Sequence, residues 1–281
     1  MDDAGLQDFS YFLSGIERVA TDSSFLVSSS KYLNEPAIRD WIATHFLRKN
    51  GPDVPTSSDT SNGLIPALNR IRDYDLLDRL IAEEKAKNPK FRAWLEHKPI
   101  CRLNVEDFGK YEPGTFGGIY HRYLVEGGYA LNLGWTFPDM SSDRDYILFR
   151  SGQVHDFDHL ITGGGFNTLG ELLPIFLRLT NLHAHMSAEL AHELFPIYVF
   201  GGLRMVFRSA LHYPETWLTV LGLMQRGFEI GLNSECLLMA DYESVFHLPL
   251  AQARQALGVR GAEDVDTVAA SRIFDGLTAG A

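Results

Sequence analysis

Cysteine is nearly absent from this chain, and its scarcity excludes two kinds of site. The only two, Cys101 and Cys236, lie far apart and lack a Cys-x-x-Cys spacing. Neither a disulfide framework nor a cysteine-built metal site is available to them. They read as reduced core thiols in a cytoplasmic protein. Positive charge is also short: 25 Lys and Arg stand against 36 Asp and Glu, a net charge of −11. Phosphate binding needs a basic face, so nucleic acid is excluded as a partner, and electrostatic adhesion to anionic lipid is disfavoured. Long apolar runs are missing too. None reaches the roughly 18 residues that span a bilayer, and the longest, Leu194 to Leu203, stops at Arg204. The opening Met1-Asp2-Asp3-Ala4 shows neither an Arg-rich presequence nor a signal peptide's charged start, so a cytoplasmic location is expected. Period-two alternation is rare, which leaves little room for strands.

What is present fits a compact helical protein. At 281 residues, 45% apolar and 22% charged, the chain is long enough to bury a large core. Ile38, Trp41, Ile42 and Phe46 form a helical stripe within Ala37 to Leu47. The Gly-, Pro- and Ser-rich stretch from Asn50 to Asn62 reads as a loop. Helices are expected near Ile65–Tyr74, Leu76–Lys85 and Asn88–Leu95, and from the Pro113-Gly114-Thr115 turn to Gly127-Gly128. Ala130 to Asp145, with Trp135 and Phe137, reads as a loop covering the site. A helix is then expected from Tyr146, followed by Glu171–Leu182, Met186–Leu194, Ile197–Ala210, Glu215–Asn233 and Cys236–Phe246. The fold class is all-α: a helical bundle with a metal site between two core helices and an apolar cavity. The expected organisation is an N-terminal helical extension and loop over 1–60, a metal-binding helical domain over 60–258, and a peripheral tail over 259–281.

The chemistry concentrates in Val154-His155-Asp156-Phe157-Asp158-His159, with Glu171 twelve residues beyond. On a helix His155 and His159 differ by only ~40° around the axis, so both imidazoles leave one face, with Asp156 and Asp158 to either side. The Gly163-Gly164-Gly165 run breaks that helix and brings Glu171 to the start of the next. Two imidazoles and one or two carboxylates are a nitrogen and oxygen donor set for a divalent cation, zinc, iron(II) or manganese. A chance histidine pair among solvated acids is the competing reading.

The surrounding residues resemble the coenzyme Q (ubiquinone) biosynthesis protein 4 family. Its hallmark is His-Asp-x-x-His, eleven residues, then Glu, and His155, Asp156, His159 and Glu171 fill the four places. Tyr111-Glu112-Pro113-Gly114-Thr115-Phe116-Gly117, leading into Tyr120-His121-Arg122-Tyr123, is similar to the family's Pro-Gly-x-x-Gly helix opening. Phe149-Arg150, Gly170-Glu171-Leu172, and Leu237 to Leu257 with Asp241-Tyr242-Glu243 and Pro249-Leu250 extend the match over roughly 60 to 258. Asp158 is a departure, since the residue before the second histidine is usually aromatic in that family. The N-terminal ~35 residues and the triple glycine also look unlike a typical member.

The resemblance implies (oxidative) C1-decarboxylation of a prenylated 4-hydroxybenzoate-type ring in ubiquinone biosynthesis. The implied metal ligands are His155, Asp156, His159 and Glu171, with Asp156 either a fourth ligand or the partner orienting an imidazole. Asp158 and Asp156 are candidate acid/base groups. Arg150 would hold a substrate carboxylate through paired hydrogen bonds, or serve only as a salt-bridge partner. His121 would touch substrate, or simply pack. The implied partners are a prenylated aromatic small molecule, other ubiquinone-biosynthesis enzymes and the inner-membrane surface as a peripheral contact; a homodimer is also expected. Leu194 to Leu203 would be a buried helix or, with Gly201-Gly202 leaving space, the wall of an isoprenoid tunnel. A second cluster at His183, His185 and His192 does not place three ligands on one face. Two other classes remain open: a non-catalytic prenyl-lipid-binding scaffold, and a diverged enzyme for another aromatic, terpenoid or polyketide substrate.

Overall fold

A computed structural model describes residues 27–47, 49, 63–128 and 140–277, and among these no strand occurs. Trp135 and Phe137, expected on a covering loop, lie outside the described residues, as does the stretch 50–62. The helices are α1 (Lys31–Asn34), α2 (Pro36–Leu47), α3 (Ile65–Ile71), α4 (Tyr74–Lys87), α5 (Pro89–His97), α6 (Val105–Phe108), α7 (Phe116–Gly127) and α8 (Asp143–Gln153). They continue with α9 (His155–Thr162), α10 (Leu172–His185), α11 (Ala188–Leu194), α12 (Pro196–His212), α13 (Trp217–Asn233), α14 (Leu250–Ala256) and α15 (Val268–Phe274).

Local chemistry sets several boundaries. The Asp73 carboxylate accepts from the Leu76 amide, so the expected Ile65–Tyr74 helix stops at Ile71 and α4 begins at Tyr74. Asn88 does the same for α5 through the Phe91 amide, and Thr115 for α7 through the Gly118 amide. Ser142 caps α8, which therefore starts at Asp143, three residues earlier than the apolar pattern indicates. The expected single helix from Tyr146 is in fact two, broken at Val154. Cys236–Phe246 is not a helix. It folds as two short 3-10 turns, Leu237–Met239 and Glu243–Val245, because the Asn181 side chain takes the Leu237 amide and donates to the Gly231 and Glu235 carbonyls.

The main core gathers around Phe108, Phe116, Phe157, Tyr242 and Phe246 on one side and α10 on the other. A second, small core of Ile38, Trp41, Leu64, Ala67 and Leu68 joins α2 to α3. α10 is the central element, with α12 and α13 packed along it. The close approach is made by glycines: a Cβ on Gly202 would lie 2.8 Å from Ile175 Cγ2, and one on Gly227 would lie 2.8 Å from Phe176 Cβ. Leu194, Tyr198, Gly201 and Gly202 are buried. The Gly201-Gly202 notch is therefore filled by α10 side chains, and it supplies helix packing rather than space for an isoprenoid tail.

The C-terminal tail also differs from expectation. Thr267, Ser271 and Phe274 are buried at 1%, 3% and 2% exposure, so residues 263–275 pack against the body of the protein.

Candidate metal centre

Val154 ends α8 with φ −87° and ψ −3°, and α9 restarts at His155. Its eight residues present His155 and His159 on one face, ring centroids 5.0 Å apart and edge to face. Phe157, on the far side, anchors α9 in the aromatic core against Tyr120, Tyr242 and Phe246. Gly163 at φ 86° closes the helix in the left-handed region, which costs glycine little. The chain then turns through Gly165 and Asn167 into a 3-10 turn, Thr168–Glu171. Asn167 caps that turn by accepting from the Gly170 amide, and Glu171 ends it facing back to the histidines.

His155, His159 and Glu171 meet there, each offering a ligand atom within 4.8 Å of the others. His155 Nε2 is 3.0 Å from Glu171 Oε2, and His159 Nε2 is 3.4 Å from Glu171 Oε1. His159 is buried at 2% exposure, while His155 and Glu171 at 29% and 39% leave the group open to solvent on one side. Burial opposes a charged His155, but Glu171, with Asp156 and Asp158 adding to it, pushes that imidazole up to about 9. Burial would raise Glu171, yet the two imidazoles hold it well below the ordinary carboxylate range.

One hydrogen bond decides what this group suits. His159 Nδ1 lies 2.7 Å from the Gly165 carbonyl, which can only accept, so Nδ1 carries the proton. In the neutral ring Nε2 is then a lone pair aimed at a carboxylate oxygen. Either a proton on Nε2 or a bound cation joins such a pair, and the arrangement suits both. A ring nitrogen held by a backbone carbonyl while the other faces a carboxylate is also how metal-binding histidines are oriented. The residues present therefore fit a divalent metal, with His155, His159 and Glu171 as its protein donors.

The other residues singled out in the sequence go elsewhere. Asp156 is outside the three-residue group; its Oδ2 accepts from the Tyr120 hydroxyl at 3.2 Å. Asp158 is fully buried: Arg178 Nε donates to its Oδ2 at 2.8 Å and Tyr242 Oη to its Oδ1 at 2.6 Å. Burial disfavours the Arg178 charge, but Asp158 outweighs it and keeps the guanidinium protonated. Burial and the same carboxylate keep Tyr242 protonated. An acid locked between a guanidinium and a phenol has no route to a substrate, so the acid/base reading of Asp158 gives way to a structural one.

Arg150 is likewise fully buried. Its two terminal nitrogens reach Glu243 at 2.6 and 2.9 Å, and it also donates to Gln153 and the Ala240 carbonyl. This is the salt-bridge alternative, and it leaves no fork for a substrate carboxylate. His121 packs on Gly109, one position round the helix from Tyr120. His183 and His185 bond the separate carbonyls of Leu179 and Ser234, and His192 packs on Tyr32 and Phe195.

Sequence reasoning missed four contributors. Phe166 stacks on His159 at 4.8 Å and 20°, and it meets Tyr123 at 4.9 Å. The Gly165 carbonyl, Arg178 and the Tyr242–Glu243 pair were the others. Tyr242 and Glu243 sit in a recognised stretch, but nothing there indicated which side chains they meet.

Comparison with known proteins places the chain in a family. The model of the family described as "Coenzyme Q (ubiquinone) biosynthesis protein Coq4" matches residues 61–263. The "Ubiquinone biosynthesis protein COQ4 homolog, mitochondrial" of Bos taurus is 23% identical over 192 residues, covering 64% of this chain and 65% of that protein. The "Ubiquinone biosynthesis protein COQ4, mitochondrial" of Clavispora lusitaniae is 25% identical over 210 residues, covering 73% of this chain and 61% of that protein. The chain thus spans less than two thirds of the length of these relatives. A crystal structure of a Nostoc punctiforme protein aligns with a TM-score of 0.57 at 18% identity, over 82% of this chain and 100% of that one, a likeness of fold. The family match runs through both histidines and Glu171, and the chain belongs to the coenzyme Q (ubiquinone) biosynthesis protein Coq4 family.

Proposed function

We propose that this protein acts in ubiquinone biosynthesis as a metal-dependent lyase that removes the C1 carboxyl group of a prenylated 4-hydroxybenzoate-type intermediate. The observation that carries the reading is the His155–His159–Glu171 group, with His159 Nδ1 tied to the Gly165 carbonyl. Family membership supports the pathway, and the prenylated ring is the substrate class this proposal assigns to the group. Three protein donors leave coordination positions for substrate or water.

When bound, zinc or iron(II) would supply Lewis-acid polarisation of a substrate oxygen. The chain's own groups do the rest. His155 and Glu171 stand at the solvent edge, where a ring can approach. Phe166, stacked on His159, and Tyr123 against it are the aromatic rings beside that edge. Asp156 accepts a hydrogen bond from the Tyr120 hydroxyl and is the carboxylate next to the group that is neither a donor in it nor locked in a buried ion pair. Asp156 is therefore the group that passes a proton taken from solvent to the ring carbon as carbon dioxide leaves, while Tyr120, kept protonated by burial and by Asp156, orients that carboxylate.

The diverged-enzyme reading loses its main support, since Asp158 answers Arg178 rather than a substrate. The scaffold reading keeps one: Asp158 and Arg150 are both occupied in ion pairs. The relatives are named mitochondrial, and a peripheral position at a membrane carrying the prenyl chain is part of this proposal. So are pathway-enzyme partners and a homodimer.

The test is elemental analysis of the wild type beside His155→Ala/His159→Ala, with carbon dioxide release from a prenylated hydroxybenzoate measured on both. About one zinc or iron per chain, lost with product formation in a folded variant, is the expected outcome. Metal without turnover would leave the scaffold reading; a wild type with no metal after supplementation would overturn the metal assignment.

A further inference from the structure

The loop that carries Glu171 and the Gly165 carbonyl is held from outside as well as by its own Asn167 cap. Residues 263–275 hold it, and all but the first lie beyond the family match, which ends at 263. The Val265 amide donates to the Gly163 carbonyl at 2.9 Å. A Cβ on Gly163 would collide with the Glu263 carbonyl, so the absence of a side chain at Gly163 is what lets this segment lie against the loop. The Thr267 hydroxyl lies 3.2 Å from the Gly164 carbonyl and 2.7 Å from Asn167 Oδ1. Ser271 Oγ donates to the same Asn167 oxygen and accepts from the Leu169 amide at 3.0 Å. Thr168 Oγ1 donates to Asp275 Oδ2 at 2.9 Å. Phe274 anchors the segment on Tyr213, ring centroids 5.1 Å apart. Behind it, Arg254 donates to the Leu160 and Ile161 carbonyls at the end of α9 and pairs with Asp264.

Every hydrogen bond from residues 263–275 to this loop falls between the second histidine and the glutamate. Asn167 caps the turn that ends in Glu171, and the Gly165 carbonyl sets the His159 ring. From this arrangement we infer that residues 263–275 are a strap that positions the metal-binding group, with Thr267 and Ser271 as positioning residues acting through Asn167. The inference rests on the metal reading of His155, His159 and Glu171. It gives the first glycine of the triple run a purpose: Gly163 is the point at which the strap lies closest to the loop.

The test is zinc affinity by competition with a chromophoric chelator, together with backbone amide exchange over residues 163–171. Both are measured on full-length wild type, Thr267→Val, Thr267→Ser and Thr267→Val/Ser271→Ala. Thr267→Val preserves side-chain shape and removes only the hydroxyl, so a folded protein with unchanged helix content is expected. The double variant should bind zinc about tenfold or more weakly, the usual effect of losing groups that orient ligands, with faster exchange in the loop. Thr267→Ser restores the hydroxyl and should bind as the wild type does. A folded double variant with wild-type affinity, or failure of Thr267→Ser to differ from Thr267→Val, overturns the strap. A wild type that binds no zinc overturns the metal reading and the strap with it, so the two failures are distinguishable.

Discussion

Asp158 and Arg178 are 0% and 1% exposed, so neither charge is solvated and each depends on the other. Removing one partner of such a pair strands the second. Asp158→Asn is expected to cost about 3–5 kcal/mol of stability, measured by chemical denaturation, while Asp158→Leu/Arg178→Met should recover much of that loss. A preserved midpoint in Asp158→Asn would show that the pair contributes nothing. His45 makes a different case. Burial, with Arg204 and Arg208 nearby, lowers its imidazole to about 3, and Arg208 Nη1 donates to the His45 carbonyl at 3.0 Å. The unfolded chain takes a proton near 6.5, the folded chain only near 3. Stability is therefore full above pH 6.5 and falls as pH drops toward 3, by up to about 1.4 kcal/mol per pH unit. His45→Gln should flatten that acid limb in a pH series of thermal melts; a variant with the wild-type slope would assign the loss to other groups.

The helices meet through glycines, and each glycine is used differently. On α13, Gly227 faces Phe176 Cβ, with the Leu173 carbonyl 3.1 Å from where a Cβ would sit, while Gly222 has nothing within 4 Å. Gly227→Ala should thus push α13 off α10 and cost about 1–3 kcal/mol. Gly222→Ala should be neutral or stabilising by up to ~1 kcal/mol, because alanine is the better helix former. Thermal unfolding of the two variants separates them, and equal effects would contradict the packing. Element boundaries followed the same division between local and distant causes. Asp73, Asn88 and Thr115 cap their own helices, so those starts belong to the local sequence. The segment 236–246 carries apolar residues that read as a helix, yet Asn181, far away in the chain, takes its first amide and bends it into turns.

At the scale of the molecule, the charge of −11 and an exposed apolar stripe act together. Leu203, Phe207 and Leu211 on α12 are 39%, 44% and 62% exposed, while the arginines of that helix, Arg204 and Arg208, are buried. No single helix among the described residues is long and apolar enough to cross a membrane. Binding to neutral phosphatidylcholine vesicles is accordingly expected, weakened by anionic lipid and by Phe207→Glu/Leu211→Glu, with co-sedimentation as the measure. Equal recovery of wild type and variant with vesicles would remove α12 from any lipid contact.

Much of this protein follows from the order of its residues alone. The all-α class is set by a backbone period that each segment carries within itself. The four-residue spacing of His155 and His159 puts both rings on one face of any helix, and Glu171 follows a glycine break that must turn the chain. Those are short-range facts. Which acids serve the site and which serve the core is not short-range. Asp158 became structural because Arg178 lies on the neighbouring helix, Arg150 because Glu243 returns from 93 residues away, and the tail because the glycine loop offers it unpaired carbonyls. Such pairings are chosen by packing: a buried charge or polar group must find its partner wherever the folded chain brings one, and sequence spacing does not record where that is.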